Sequence, residues 1–453
     1  MLNFLDEIKK RVLIYDGSKG YMLQKFGMKG GECSELWNVE HRDIVKKIYS
    51  LYKEAGADVI QTNTFLGNRI NLQKYGLGDR VYELNYEGAR LAREVMGQDG
   101  FVAASIGPTG KLLEPLGDMD FETAYEIFAE QIKALVDGGV DLINFETFTD
   151  LAEMQAALLA ARENTDIPII CSISYEKNNK TLMGCDPRTA TVILKSKGAD
   201  MIGTNCSFGP DNMIKVVKEI YEAGSGYLMV KPNAGLPDVK DGTIVYNESP
   251  ERFADVVVKF VRYGARLIGG CCGTTPEYIK AIEKKVSLIE IPDDSVFPAY
   301  NENIITSSVS SFDISSSFNI NVGQEDGVIT CFKGADVGKI SLFEDREVCS
   351  KLKNGNLEVI DDMAMDLAEK EHDLIYINVD SGIEGKDFSL LSKVVNKAQA
   401  YLKQPFIIET VYPEALEKAL RTYKGRAGVI IRGNDENKLN RIAEKYGALV
   451  IRK

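Results

Sequence analysis

The chain has 453 residues, 44% of them hydrophobic, with 54 Lys and Arg against 67 Asp and Glu and a formal net charge of −13. That balance lacks the clustered cations a phosphate backbone demands, which argues against nucleic acid as a partner. No run of about 18 apolar residues is present to span a bilayer, and the N-terminal MLNFLDEIKKRVL mixes acids and bases without a signal-peptide core, so a cytoplasmic protein with no membrane partner is expected.

In chain order, the first predicted strand is RVLIYDG (11–17), ending near Asp16. A helix over 41–54 then leads through Gly56 into the strand of EAGADVIQTNTF, whose polar end carries Thr62 and Asn63. FVAASIGP (101–108) is the third strand. The helix over 121–137 places Ala124, Phe128, Ile132 and Val136 on one face, and beyond Gly139 comes the strand of DLINFETF with Glu146 near its end. PIICSIS (168–174), the strand after Gly198 that ends at Asn205 and Cys206, and GYLMVKPNAG (226–235) with Asn233 follow. A helix over 250–262 and Gly264 introduce the eighth strand, which ends at Cys271 and Cys272.

The recurring unit is a helix closed by glycine and followed at once by an apolar strand. Eight βα units predict an α/β fold, a (β/α)8 TIM barrel over residues 1–290, with the active site at the C-terminal ends of its strands. The serine-rich stretch TSSVSSFDISSSFN (306–319) has no long helical pattern, so 291–326 reads as a linker or small hairpin. Strands at DLIYINVD (373–380), PFIIETV (405–411), AGVIIRGN (427–434) and ALVIRK (448–453), with an earlier one near 328–343, predict a smaller, incomplete α/β domain over 327–453, about half a barrel.

Eight cysteines in a chain this long are no disulfide framework. Cys206, Cys271 and Cys272 stand apart because they fall on the ends of the sixth and eighth strands, which only one strand separates in a closed barrel. Neighbours on a pleated strand point to opposite faces, so Cys271 and Cys272 can share a target only where the backbone leaves the pleat, which their flanking glycines permit. Three readings are open: buried structural thiols, a vicinal disulfide that a reducing compartment disfavours, and a metal site with three sulfur ligands. The third leaves one tetrahedral position free, the mark of a catalytic zinc site with Zn–S distances of about 2.3 Å. A guest thiol, with an ordinary pKa of about 8.5, is deprotonated on such a metal and becomes a nucleophile suited to attack a methyl carbon.

Residues 1–290 resemble the zinc-dependent homocysteine S-methyltransferases, and among them the N-terminal module of cobalamin-dependent methionine synthases. YDGSKGYMLQ (15–24), EAGADVIQTNTF (54–65), SIGPTG (105–110), NFETFTD (144–150), GTNCSFGP (203–210), KPNAGLP (231–237) and GGCCGTTPEYI (269–279) carry the resemblance. It implies Zn2+ held by Cys206, Cys271 and Cys272, which are then also the catalytic residues, with the homocysteine sulfur in the fourth position. It implies Asp16 and Glu146 near the substrate ammonium, the backbone of Gly17 and Ser18 near its carboxylate, and Asn233 as an occupant of the metal when substrate is absent, the alternative for Asn233 being a plain turn residue.

The chain departs from the pattern in reading DGSKGY where DGAMGT is usual, so that Lys19 and Tyr21 stand near the substrate end, and in carrying Gln61 where an acid is common. The C-terminal part resembles the start of a pterin-binding barrel through INVDSG (377–382), IIETVYPEALEKAL (407–420) and YKGRAGVIIRGN (423–434), yet shows Glu409 and Arg432-Gly433 at ligand positions, so folate binding is not expected. No Asp-x-His-x-x-Gly cobalamin signature occurs. The expected function is methylation of homocysteine or a similar thiol to methionine or its analogue, with methylcobalamin acting in trans on a separate corrinoid protein and a homo-oligomer as a further partner. Another donor, S-methylmethionine or methylfolate, and a non-catalytic docking role are the competing expectations.

Overall fold

The computed structural model describes residues 3–451 except 236, 241–242, 315–320, 323–328, 331–334, 342–345, 354–355, 371, 384–386 and 434. Contacts divide the chain into two compact units, one of Met1–Leu113, Met119–Met183 and Ala199–Tyr300, the other of Glu114–Asp118, Gly184–Gly198 and Asn301–Lys453.

The first unit is a TIM barrel. Its parallel strands are β1 (Leu13–Ile14), β2 (Val59–Gln61), β3 (Phe101–Ile106), β4 (Leu142–Phe148), β5 (Ile169–Ile173), β6 (Met201–Cys206), β7 (Leu228–Pro232) and, beyond the antiparallel hairpin β8 (Pro237–Lys240) and β9 (Thr243–Tyr246), β10 (Ala265–Ile268). The sheet runs β1-β10-β7-β6-β5-β4-β3-β2 and closes through a parallel bridge between Tyr15 and Val59. Strands buried on both faces are largely apolar, which is why they read as hydrophobic runs rather than alternations, with polar exceptions such as Gln61, Glu146, Asn205 and Lys231 toward their C-terminal ends.

Leu13, Tyr15, Val59, Phe101, Ala103, Leu142, Ile170, Met201, Met229 and Leu267 fill one core, and the N-terminal helix Phe4–Lys10 adds Phe4 and Ile8 to it. Each Val, Leu, Ile, Phe or Met among them contributes roughly 1.5–3 kcal/mol on leaving water. Helix ends follow local chemistry: Asp120 and Asp150 cap Phe121–Asp137 and Leu151–Asn164 by accepting from Thr123 N (2.8 Å) and Ala152 N (2.9 Å). Gly56 and Gly264, which precede β2 and β10, adopt φ of 101° and 79°, the left-handed backbone that favours glycine.

Three elements differ from expectation. The first strand is two residues long, because the chain turns at Asp16, whose amide still donates to Val59 O (3.1 Å). The helix expected over 250–262 is α-helical only over Pro250–Val257 and tightens to a 3-10 helix over Val258–Tyr263. The strand expected over 226–235 stops at Pro232, where the missing N–H ends the ladder.

In the second unit, β11 (Ile304–Thr306) and β12 (Ser311–Asp313) form an antiparallel hairpin at the start of the serine-rich stretch, and β13 (Asn321–Val322) pairs with β14 (Ile329–Thr330). Residues 315–319 of that stretch lie outside the described residues. An open parallel sheet then runs β15 (Val337–Ser341), β16 (Leu374–Asn378), β17 (Phe406–Thr410), β18 (Gly428–Ile431) and β19 (Leu449–Ile451) in sequence order. Ile305, Leu374, Tyr376, Ile407, Ile430 and Ile451 form its core. At the strand ends Glu409 pairs with Arg432 at 3.2 Å, and Asp380 accepts from Thr410 Oγ1 (2.5 Å) and Val411 N (2.8 Å). Among the described residues no helix is long and apolar enough to cross a membrane.

Candidate metal centre

Cys206 is the last residue of β6, and its backbone turns left-handed there, with φ of 61° at Cys206 and 53° at Ser207. A side chain in that conformation costs roughly 1–2 kcal/mol, and such strain gathers at functional sites. Thr147, within β4, shares the feature with φ of 65°. Its N–H donates to Asn205 Oδ1 (2.9 Å) and its Oγ1 accepts from Asn205 Nδ2 (2.8 Å), so the residue before Cys206 reaches past β5 to hold β4 in its strained form.

Cys271 and Cys272 lie beyond the end of β10, in a turn and not on the pleat, which resolves how adjacent cysteines face one target. The turn is tied on both sides. Cys271 N donates to Pro232 O (2.8 Å), Gly270 N to Asp16 O (3.2 Å), Ala234 N to Cys272 O (2.9 Å), and Thr274 Oγ1 to Cys271 O (2.6 Å). Gly270 has no room for a side chain, since a Cβ there would sit 2.3 Å from Thr274 Oγ1.

These two loops bring the three sulfurs within 4.8 Å of one another, with Cys206 Sγ 3.9 Å from Cys272 Sγ. Among the described residues they are the one group of His, Cys, Asp or Glu side chains so converged. Hydrogen bonds from Cys271 and Cys272 hold the Cys206 thiol down at about 3, while their shared interaction raises Cys271 to about 11 and Cys272 well above the ordinary thiol range. A divalent cation with affinity for sulfur would take the place of the thiol protons. The donor set, three sulfurs partly open to a cavity, fits Zn2+ with one position left for a ligand.

That cavity, of about 260 Å³, is lined by all three cysteines and by Gly17, Ser18, Lys19, Gln61, Glu146 and Lys231. Glu146 is enclosed: its Oε1 accepts from Gln61 Nε2 (3.0 Å) and Ser105 Oγ (2.5 Å), and its Oε2 faces Lys231 Nζ at 3.4 Å. Lys231 also donates to Gln61 Oε1 and sits 4.2 Å over the Tyr15 ring. Asp16 is fully buried behind the cavity wall, where its Oδ2 accepts from Gln61 N (3.0 Å) and Lys19 Nζ (2.6 Å) and its Oδ1 has no partner. Burial raises the Asp16 carboxyl and lowers Lys19 to about 8.

Two of the expected site residues make contacts within the chain. The Ser18 amide, expected with Gly17 to hold a carboxylate, donates to Thr274 O (3.0 Å) and its Oγ caps the helix Lys19–Lys25. The Asn233 Oδ1 accepts from Cys272 N (3.1 Å), bracing the cysteine turn, and the same side chain hydrogen-bonds Cys206.

Sequence reasoning did not single out Lys231 or Tyr246. Lys231 carried a signal, a lone cation inside the apolar run LMVKP. Tyr246, on the unforeseen hairpin, hydrogen-bonds Cys272 and packs edge-on against Tyr21 at 6.0 Å, and burial followed by the nearby sulfurs raises its hydroxyl.

A sulfur trio at the mouth of a (β/α)8 barrel defines the class, a candidate metal-dependent thiol-activating barrel. The family described as "Homocysteine S-methyltransferase" matches residues 13–286, and the chain belongs to that family. It is similar to the methionine synthase of Mycobacterium tuberculosis (strain ATCC 25618 / H37Rv), 32% identical over 314 residues, 65% of this chain and 26% of that protein. The methionine synthase of Mycobacterium leprae (strain TN) is 31% identical over 305 residues, 63% and 25% respectively. The chain thus spans about a quarter of the length of these curated relatives. The metallated form of the Escherichia coli homocysteine methyltransferase MmuM shares the fold at a TM-score of 0.52 and 23% identity, over 62% of this chain and 98% of that one.

Proposed function

We propose that this chain is a zinc-dependent S-methyltransferase that takes homocysteine as methyl acceptor and yields methionine, with Cys206, Cys271 and Cys272 as zinc ligands. The convergence of those three sulfurs at the barrel mouth carries the reading, and family membership supports the acceptor. When bound, zinc would supply an open coordination position and lower the pKa of a thiol that fills it. The chain's own residues do the rest. Asn205 and Asn233 brace the cysteine loops, and the cavity beside the sulfurs orients the acceptor. In the transfer the acceptor sulfur loses its proton and forms the S–C bond, while the donor leaves with the electron pair of the broken bond.

The donor we favour is a methyl-corrinoid carried by a separate protein, in keeping with the methionine synthases among the relatives. In this reading residues 327–453 are a smaller domain that follows a linker over 291–326. Incubating zinc-loaded protein with homocysteine and, in separate reactions, methylcobalamin, methylfolate, betaine or S-methylmethionine, then assaying methionine, tests both acceptor and donor. Methionine from methylcobalamin supports the reading; no product from any donor favours the docking role.

A further inference from the structure

The cavity beside the sulfurs contains four charged groups in or behind its wall, and their pairing is lopsided. Glu146 already receives three donors, from Gln61, Ser105 and Lys231. Lys231 is spent on Glu146, the Gln61 carbonyl and the face of Tyr15. Asp16 is sealed at 0% exposure and is not part of the lining. Lys19 lines the cavity and is 7% exposed, yet its ammonium, which can donate three hydrogen bonds, has one acceptor, Asp16 Oδ2. Although Asp16 Oδ1 also lacks a partner, it is sealed behind the wall, so among the charged groups that line the cavity the unused hydrogen-bonding capacity belongs to a cation.

Resting on the proposed thiol-activating site, we infer that the cavity selects its acceptor by an anionic group: the preferred ligand is a small mercapto carboxylate whose sulfur meets the cysteine trio and whose carboxylate meets Lys19. An α-ammonium gains nothing there. Glu146, the carboxylate of the lining, already faces Lys231 at 3.4 Å, Asp16 is sealed behind the wall and holds Lys19 at 2.6 Å, and a second ammonium beside Lys19 meets like charge. Homocysteine then enters through its carboxylate alone. The Ser18 amide is turned to Thr274 O, and Lys19 is the cation of the lining with hydrogen bonds left to offer that carboxylate.

The test is calorimetric titration of the full-length, zinc-loaded protein with three thiols of one length: homocysteine, 4-mercaptobutanoate, which lacks the ammonium, and 3-aminopropanethiol, which lacks the carboxylate. The expected result is that 4-mercaptobutanoate binds at least ten-fold tighter than homocysteine and that 3-aminopropanethiol binds weakest. Lys19→Met removes the cation and frees Asp16, so homocysteine should overtake 4-mercaptobutanoate in that variant; if the variant does not fold, the wild-type order alone decides. Tighter binding of homocysteine than of 4-mercaptobutanoate by the wild type, or equal binding of 3-aminopropanethiol, overturns the anionic selection while leaving the thiol-binding site in place. Heat from none of the three removes the site itself and the inference with it.

Discussion

Asn205 grips Thr147 twice, accepting from its N–H at 2.9 Å and donating to its hydroxyl at 2.8 Å, across 58 positions of sequence. Ser172 Oγ donates to the same Asn205 oxygen (2.6 Å), so one amide ties the ends of β4, β5 and β6 together next to Cys206. Asn205→Ala strands these buried partners and should cost about 2–3 kcal/mol in chemical denaturation. At Thr147 itself the usual order of substitutions should invert: Thr147→Gly relieves the positive φ, so it should be about 1 kcal/mol more stable than Thr147→Ala. A more stable alanine variant would show that the left-handed backbone is not strained.

The turn that presents Cys271 and Cys272 leaves no space at Gly270. Gly270→Ala must displace Thr274 and with it the carbonyl bond that closes the turn, so zinc affinity measured by chelator competition should drop at least ten-fold. Gly30→Ala, where a Cβ meets nothing within 4 Å, is the control and should leave zinc affinity unchanged.

The barrel was legible because parallel strands buried on both faces, each announced by a glycine-closed helix, are a local pattern that chain order alone reveals. Cys206, Cys271 and Cys272 were legible for the same reason, since strand ends point to one place in a closed barrel. The pairings were not. Lys19 stood out by type, but that it meets Asp16, and that Lys231 meets Glu146 from 85 positions away, depends on which side chains the closed barrel turns inward. Tyr246 was hidden because a hairpin inserted after β7 has no place in the βα repeat. The bond from the Ser18 amide to Thr274 O was hidden because its acceptor lies at the far end of the chain's first unit.

Glu153 provides a pH signature away from the metal. Burial raises its carboxyl to about 7 although Thr109 donates to it from N (2.7 Å) and Oγ1 (2.5 Å). The folded pKa lies above the ordinary value of 4.5, so the folded chain holds this proton more tightly. The stabilisation is complete below about pH 4.5 and is lost as pH rises through about 7, with an upper size of about 3 kcal/mol. Between pH 5.5 and 8.5 the melting temperature of the wild type should fall several degrees more than that of Glu153→Gln. Parallel curves would contradict a protonated Glu153.

Every residue of the cysteine trio and of its cavity precedes residue 300. A chain ending there should therefore bind zinc with the affinity of the full chain, and failure to do so would count against independent folding of the first unit.

The central claim is that three protein sulfurs hold a metal and leave one position for a fourth, external sulfur. Zinc K-edge X-ray absorption on protein purified reduced and without chelator measures this directly. The account predicts about one zinc per chain, three sulfurs at about 2.3 Å before ligand and four after addition of homocysteine or 4-mercaptobutanoate. Protein that carries no stoichiometric zinc and gains none on titration, or a sulfur count that the added thiol does not change, would contradict it.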